Sequence, residues 1–424
     1  MLDENIAAGR SLPRPSVKKK SWLMLLLATL GPGLTVMLAD TDAGSIITAA
    51  QSGARWGYKL LFLQLLLIPV LYFVQELTAR IGITTGRGHG DLIKENFGAA
   101  WAWISVMTLF IAAIGALVTE MVGMVGISAL FGISKWISVP ASALILILIS
   151  CTGKYKYVER MLIAIGLLEL AFIPAALFAK PDYAALAQSF VGSQPLNDNS
   201  YWLLIAANVG AVIMPWMIFY QQGAVVDKGL SKEVIKYSRI DTFIGSIVTQ
   251  LVMAAALVVT AATIARTNPN TSLESVDQIA NALAPFLGSM GGKIIFALGM
   301  TGAALQSAIV IALAVSWASG EVLNVPCSLN SSWKQAPVFY AFYNGAIIVS
   351  GLLVLAGIPL ISLTIGVEVM NSLLLPLVLG FLLALGWKVL PEQYKLRKWE
   401  KTILLTIYVL VCSLGIFTVI QLFR

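Results

Sequence analysis

Two carboxylates, Asp40 and Asp42, interrupt an otherwise apolar run, and Gly44 and Ser45 follow directly after them. A carboxylate near the centre of a lipid bilayer costs about 2.5–3.5 kcal/mol on insertion scales, so such a pair calls for a charge to answer it. The chemistry on offer is cation coordination. Gly44 permits the backbone to leave the helix, which uncovers carbonyl oxygens, and Ser45 places a neutral hydroxyl on the same face as Asp42. A second interruption, Gly210-Ala211-Val212-Ile213-Met214-Pro215, offers complementary donors. Pro215 has no N–H, so the carbonyl four residues earlier, on Ala211, is released from the helical ladder. Met214 adds a thioether, a soft ligand beside hard oxygens. Asp42, Ser45, the Ala211 carbonyl and Met214 are therefore the expected metal ligands, with Asp40 beside them.

These breaks need a membrane around them, and the composition supplies one. Of 424 residues, 58% are hydrophobic and 12% charged, whereas a soluble domain carries about 25% charged residues. Since about 20 apolar residues cross the hydrocarbon core, eleven runs qualify, from Trp22–Gly53 through Tyr201–Gln221 and Ile294–Ala318 to Lys401–Leu422. Lys and Arg gather in alternate loops, 21 of 28 on one side, which puts the N-terminus in the cytoplasm and, after eleven crossings, the C-terminus outside. A bacterial-type inner (plasma) membrane fits that bias, and the net charge of +7 reads as loops facing anionic lipid rather than nucleic acid. Cys151, Cys327 and Cys412 lack the paired spacing of a zinc site and read as packing residues.

Residues 1–20 form a basic cytoplasmic tail, and residues 21–424 a single membrane domain. The broken runs are the first and the sixth, five apart, and an odd number of crossings turns the second five-helix unit upside down relative to the first. Paired interruptions of this kind point to an inverted-repeat transporter with its site at the midplane. Other polar residues fall at membrane depth: Glu120 in the third run, Glu169 in the fifth, and Glu368 with Asn371 in the tenth. Glu120, Glu368 and Asn371 are expected to line an ion path, and Glu169 less so. Glu76 and Arg80 read as an i,i+4 ion pair. The stretch Ser275–Leu287 reads as a short surface helix in the longest loop. No nucleophile–base pair or cofactor loop is visible, so an enzyme is not expected.

The run GPGLTVMLADTDAGS at Gly31–Ser45, with QSGARWGYKLL after it, resembles the first-helix region of the natural resistance-associated macrophage protein (NRAMP) family. GAVIMP at Gly210–Pro215 resembles that family's sixth-helix motif, and QELTARIGITTG, VTEMVG and FALGMTGAALQSAIVIA extend the similarity along the chain. The resemblance implies an all-α LeuT-type fold: about 11 transmembrane helices, with inverted repeats at about 22–180 and 200–390, helices one and six broken, and an extra helix at about 400–422. It implies the same four ligands, with Ser45 in place of the family's Asn.

Departures from the family's pattern sharpen the expectation. Trp216 follows Pro215 where transition-metal members have His, Glu120 stands for Asp, Gly123 for Glu, and Glu368 for Gln. The chain has one histidine, His89, so a carrier titrating near neutral pH is missing from the membrane. The pattern is similar to the NRAMP-related magnesium transporters. A roomier, more acidic site suits Mg²⁺, which is hard and keeps several waters. Uptake of partly hydrated Mg²⁺, with Mn²⁺ alongside and no proton coupling, is the expectation. A proton-coupled Mn²⁺/Fe²⁺ importer is the alternative, and an amino-acid carrier of the same architecture is disfavoured because acidic residues at the break would repel a substrate carboxylate.

Overall fold

The computed structural model describes residues 31–150, 155–268, 272–273, 276–281, 284–356 and 360–422. The tail 1–20, the start of the first run and Cys151 lie outside the described residues. Every regular element among them is helical. Nine helices are long and apolar enough to cross a membrane. The fourth span, expected at Val139–Cys151, is a shorter apolar helix, Lys135–Ser150, and the first is divided into Pro32–Asp40 and Ala43–Trp56. Together these make the eleven spans read from the sequence. The sixth divides as well, into Asn199–Val212 and Pro215–Asp227.

The helices are distributed as a bilayer requires. Leu66, Met107, Ile111, Leu144, Leu352 and Val409 point outward, while Asp40, Asp42, Glu120, Glu169 and Glu368 are turned into the bundle. In lipid no water answers a polar group, so such groups must find partners inside the protein. Near one end Glu76 accepts from Arg80 at 2.5 Å and from Arg239 at 2.7 Å, while Arg80 also reaches Glu400 at 2.8 Å. The expected Glu76–Arg80 pair is thus part of a four-residue network joining the second, seventh and eleventh spans.

Helix packing comes in exchanged pairs. The first span packs on the seventh as the sixth packs on the second, and the third packs on the tenth as the eighth packs on the fifth. The third and eighth pack on each other, as do the second and seventh. Swapping spans one to five with six to ten leaves this set unchanged, which is the signature of the LeuT-type inverted repeat. One expectation is corrected at the periphery. The surface helix runs Val276–Asn281, and Ala284 onward already belongs to the eighth-span helix Ala284–Leu323. The loop 180–199 carries a helix of its own, Tyr183–Val191, capped by Asp182.

The short first half of the first span, Pro32–Asp40, is held by a neighbour. Its own residues provide no side-chain cap, and the first N–H groups of a helix have no partner within it. Asp241 of the seventh span fills that role: its Oδ2 accepts from the N–H of Gly33 at 2.9 Å and of Gly31 at 3.3 Å, and its Oδ1 from Leu34 at 3.1 Å. Beside it Lys228 pairs with Glu159 at 2.9 Å, over a polar cavity of about 790 Å³. Asp241→Ala strands these N–H groups and is expected to cost about 1–3 kcal/mol, read as a lower unfolding temperature. Asp241→Asn, which keeps an acceptor, should lose less.

Candidate metal centre

The first break is two residues wide. Thr41 (φ −80°, ψ 47°) and Asp42 (φ −69°, ψ 173°) leave the helical region, and a new helix starts at Ala43. Asp42 is its N-cap, and Oδ1 accepts from the Ser45 N–H at 2.6 Å. That is what an aspartate three residues ahead of a free N–H does by preference. The other oxygen of Asp42, Oδ2, is buried without a hydrogen-bond partner. On the other side of the break Thr41 donates its N–H to Leu38 O at 3.2 Å, and Ser307 donates its hydroxyl to Ala39 O at 2.7 Å.

The sixth break falls at Ile213 and Met214, with Pro215 opening the next helix. Proline is suited to that first position because its missing N–H would have been unpaired there anyway. The Ala211 carbonyl is released as the sequence implied, and the Ser45 hydroxyl donates to it at 2.8 Å. This bond joins the two interruptions directly. Met214 is fully buried, and its sulfur accepts the indole N–H of Trp216 at 3.1 Å. Asp42, Ser45, Ala211 and Met214 all have no solvent exposure. Among the described residues no group of three or more His, Cys, Asp or Glu side chains is placed to hold a metal ion, so any ion here would meet a mixed set of carboxylate, hydroxyl, carbonyl and thioether.

The third and tenth spans close the site. Glu120 Oε2 accepts the Ala43 N–H at 3.2 Å, a second cap on the same helix start. Glu368 accepts from Asn371 Nδ2 at 3.1 Å through Oε2, while its Oε1 has no partner. Gly44 makes room for Glu368 against the first span. It lies inside helix Ala43–Trp56, so the expectation that it lets the chain leave the helix is corrected. A Cβ there would sit 2.3 Å from Glu368 Oε1, 3.1 Å from Thr119 Oγ1 and 3.3 Å from Asp42 Oδ1. Gly44 is needed because three oxygens converge on its bare face. Gly123 is a similar case: a Cβ would come within 2.5 Å of Ala43 Cβ, which leaves no room for the acidic side chain common at that position.

Two residues matter more than the sequence suggested. Glu169 sits on a 3-10 turn, Leu167–Ala171, that interrupts the fifth span, and it is fully buried. Pro174, which frees the carbonyl of Leu170, is the signal that marks this turn. Thr249 of the seventh span meets the Thr41 hydroxyl at the first break. His89, by contrast, lies outside the spans and away from the breaks. Its Nδ1 is 3.1 Å from Gln222 Oε1 and its ring lies edge-on to Phe219 at 4.8 Å. Burial pushes its pKa down to about 4, with the Gln222 contact opposing.

Comparison with known proteins follows the same lines. The model of the family described as "Natural resistance-associated macrophage protein-like" matches residues 33–421. The chain is 27% identical over 299 residues to the divalent metal cation transporter MntH of Brucella suis biovar 1, covering 68% of this chain and 65% of that protein. It is 27% identical to MntH of Pectobacterium carotovorum over 82% of this chain and 88% of that one. Its fold is similar to the crystal structure of an Eremococcus coleocola manganese transporter, with a TM-score of 0.76 at 17% identity over 97% of this chain and 89% of the other.

A buried neutral histidine makes stability depend on pH. The unfolded imidazole titrates near 6.5 and the folded one near 4, so the unfolded state binds the proton first. The His89 contribution to stability is expected to be level above pH 6.5 and to fall between 6.5 and 4, by as much as about 3 kcal/mol. The difference in unfolding midpoint between wild type and His89→Gln, measured from pH 7.5 down to 4.5, should show this slope.

Proposed function

The chain belongs to the Natural resistance-associated macrophage protein-like family, and on that premise we propose that it carries divalent metal cations across a membrane by alternating access. In this reading Mg²⁺, partly hydrated, is the main substrate, Mn²⁺ is carried alongside, and no proton is co-transported. The ion is bound between the broken first and sixth spans by Asp42, Ser45, the Ala211 carbonyl and Met214. The Lys- and Arg-rich loops face the cytoplasm of a plasma membrane.

The hydrogen bond from Ser45 to the Ala211 carbonyl carries this reading. It brings the donors of both breaks to one place, where a cation arriving between the two oxygens could exchange the hydrogen bond for coordination. Three further features support a hard ion. Glu368 adds an anionic oxygen without a partner facing Gly44. The indole of Trp216 engages a lone pair of the Met214 sulfur, which weakens the one soft donor. His89 is the chain's single imidazole and lies outside the spans, which supports transport without a proton carrier of that type.

A second reading, proton-coupled Mn²⁺ import, is favoured by Met214 and by the names of the relatives. Uptake assays in liposomes separate the two. Millimolar Mg²⁺ is expected to enter and to compete with Mn²⁺, with no acidification of the lumen. Failure of Mg²⁺ both to enter and to compete would remove the magnesium assignment, and metal-driven acidification would remove the uncoupled one. Asp42→Ala should abolish uptake of both ions.

Trp216→Phe tests the selectivity argument. Removing the indole N–H returns the full lone pair to Met214, so Mn²⁺ uptake relative to Mg²⁺ should rise several-fold, while Met214→Ala should lower it. Equal ratios in wild type and both variants would take the thioether out of selectivity.

A further inference from the structure

Five acids are buried inside the bundle: Asp40, Asp42, Glu120, Glu169 and Glu368, of which none is more than 1% exposed. None enters any ion pair found among the described residues. A buried charge is tolerated when it is paired or binds a metal, and one divalent substrate offsets two of the five. Hydrogen bonds answer part of the remainder: Asp42 takes the Ser45 N–H, Glu120 the Ala43 N–H and Glu368 the Asn371 amide. Asp40 receives none, and Glu169 has only the Thr41 hydroxyl beside it.

Both acids sit on segments that pack against the eighth span. A Cβ on Gly302 would lie 3.6 Å from the Glu169 backbone nitrogen. One turn further along, Gln306 donates to Thr35 O at 2.9 Å and Ser307 to Ala39 O at 2.7 Å. The Glu169 turn and the end of helix Pro32–Asp40 thus pack on the same stretch of the eighth span, and Glu169 lies beside Thr41, the residue that follows Asp40. That helix end presents carbonyls with partial negative charge, and the Thr41 and Thr249 hydroxyls meet there. Sulfur donors play no part in this set.

We propose that Asp40 and Glu169, with the Thr41 hydroxyl, form a second binding position for a hard divalent cation on the Pro32–Asp40 side of the first break. It rests on the transport reading above only for the identity of the ion. The donors are all oxygens and carry two negative charges, which matches one divalent ion. An ion leaving Asp42 and Met214 toward the cavity at Leu34 and Glu159 would have this position next to its path.

Crystals of the full chain equilibrated with Mn²⁺ and examined by anomalous scattering test it. Two peaks per chain are expected, one between Asp42 and Met214 and one between Asp40 and Glu169. Glu169→Gln should lose the second and keep the first, and the retained peak shows that the variant is folded. Asp42→Asn should do the reverse. A single peak at Asp42, or a Glu169→Gln variant with both peaks, overturns the proposal. A peak at Glu169 with none at Asp42 in the wild type would instead overturn the primary site and leave this one standing.

Discussion

A broken helix in a membrane leaves backbone groups that neither water nor the helix can satisfy, and the centre of this protein is organised by that constraint. The Ser45 hydroxyl on the Ala211 carbonyl is where the two breaks answer each other. Around it the remaining groups are matched one by one: Asp42 and Glu120 take the first N–H groups of Ala43–Trp56, Ser307 takes the Ala39 carbonyl, and Ile213 donates to Val209 O at 3.2 Å. Polar satisfaction and ion coordination draw on the same atoms. On the proposed reading such a site can close without its substrate, because Ser45, the Ala211 carbonyl and Met214 have internal partners to fall back on. That property separates a carrier from a storage site, where a preformed cage holds the metal permanently.

Trp216 and Glu368 show how the surroundings can alter preference while the ligands stay the same. The indole draws on the sulfur, and the carboxylate faces the opposite wall through the gap left by Gly44. On the proposed reading both act on hardness, one by weakening the soft donor and the other by adding a hard one. The side chains that set selectivity then need not include a ligand.

Much of this was legible in the residues. Asp42 three positions before Ser45 is a helix start written in sequence, and Pro215 points back to Ala211 by the spacing of the helical ladder. Apolar run lengths gave the eleven spans because the bilayer fixes the length. What the sequence could not hold were contacts between distant segments. Gly44 looks like a flexible joint until Glu368, more than 300 residues away, is seen against it. Asp241 sits at the edge of an apolar run, and nothing local reveals that its partners are Gly31, Gly33 and Leu34. The Glu169 turn had a signal in Pro174, but proline is common in membrane helices and the buried carboxylate gave it no second cue.

Asp241 has a consequence for timing. The helix Pro32–Asp40 is nine residues long, too short to persist alone, and its start is gripped by a carboxylate from the seventh span. For this half of the first span to move, that grip must open, and opening it changes no ligand of the ion. If the ion binds as proposed, the barrier to turnover and the affinity for substrate belong to different residues, so speed can drift in evolution while the choice of ion stays fixed.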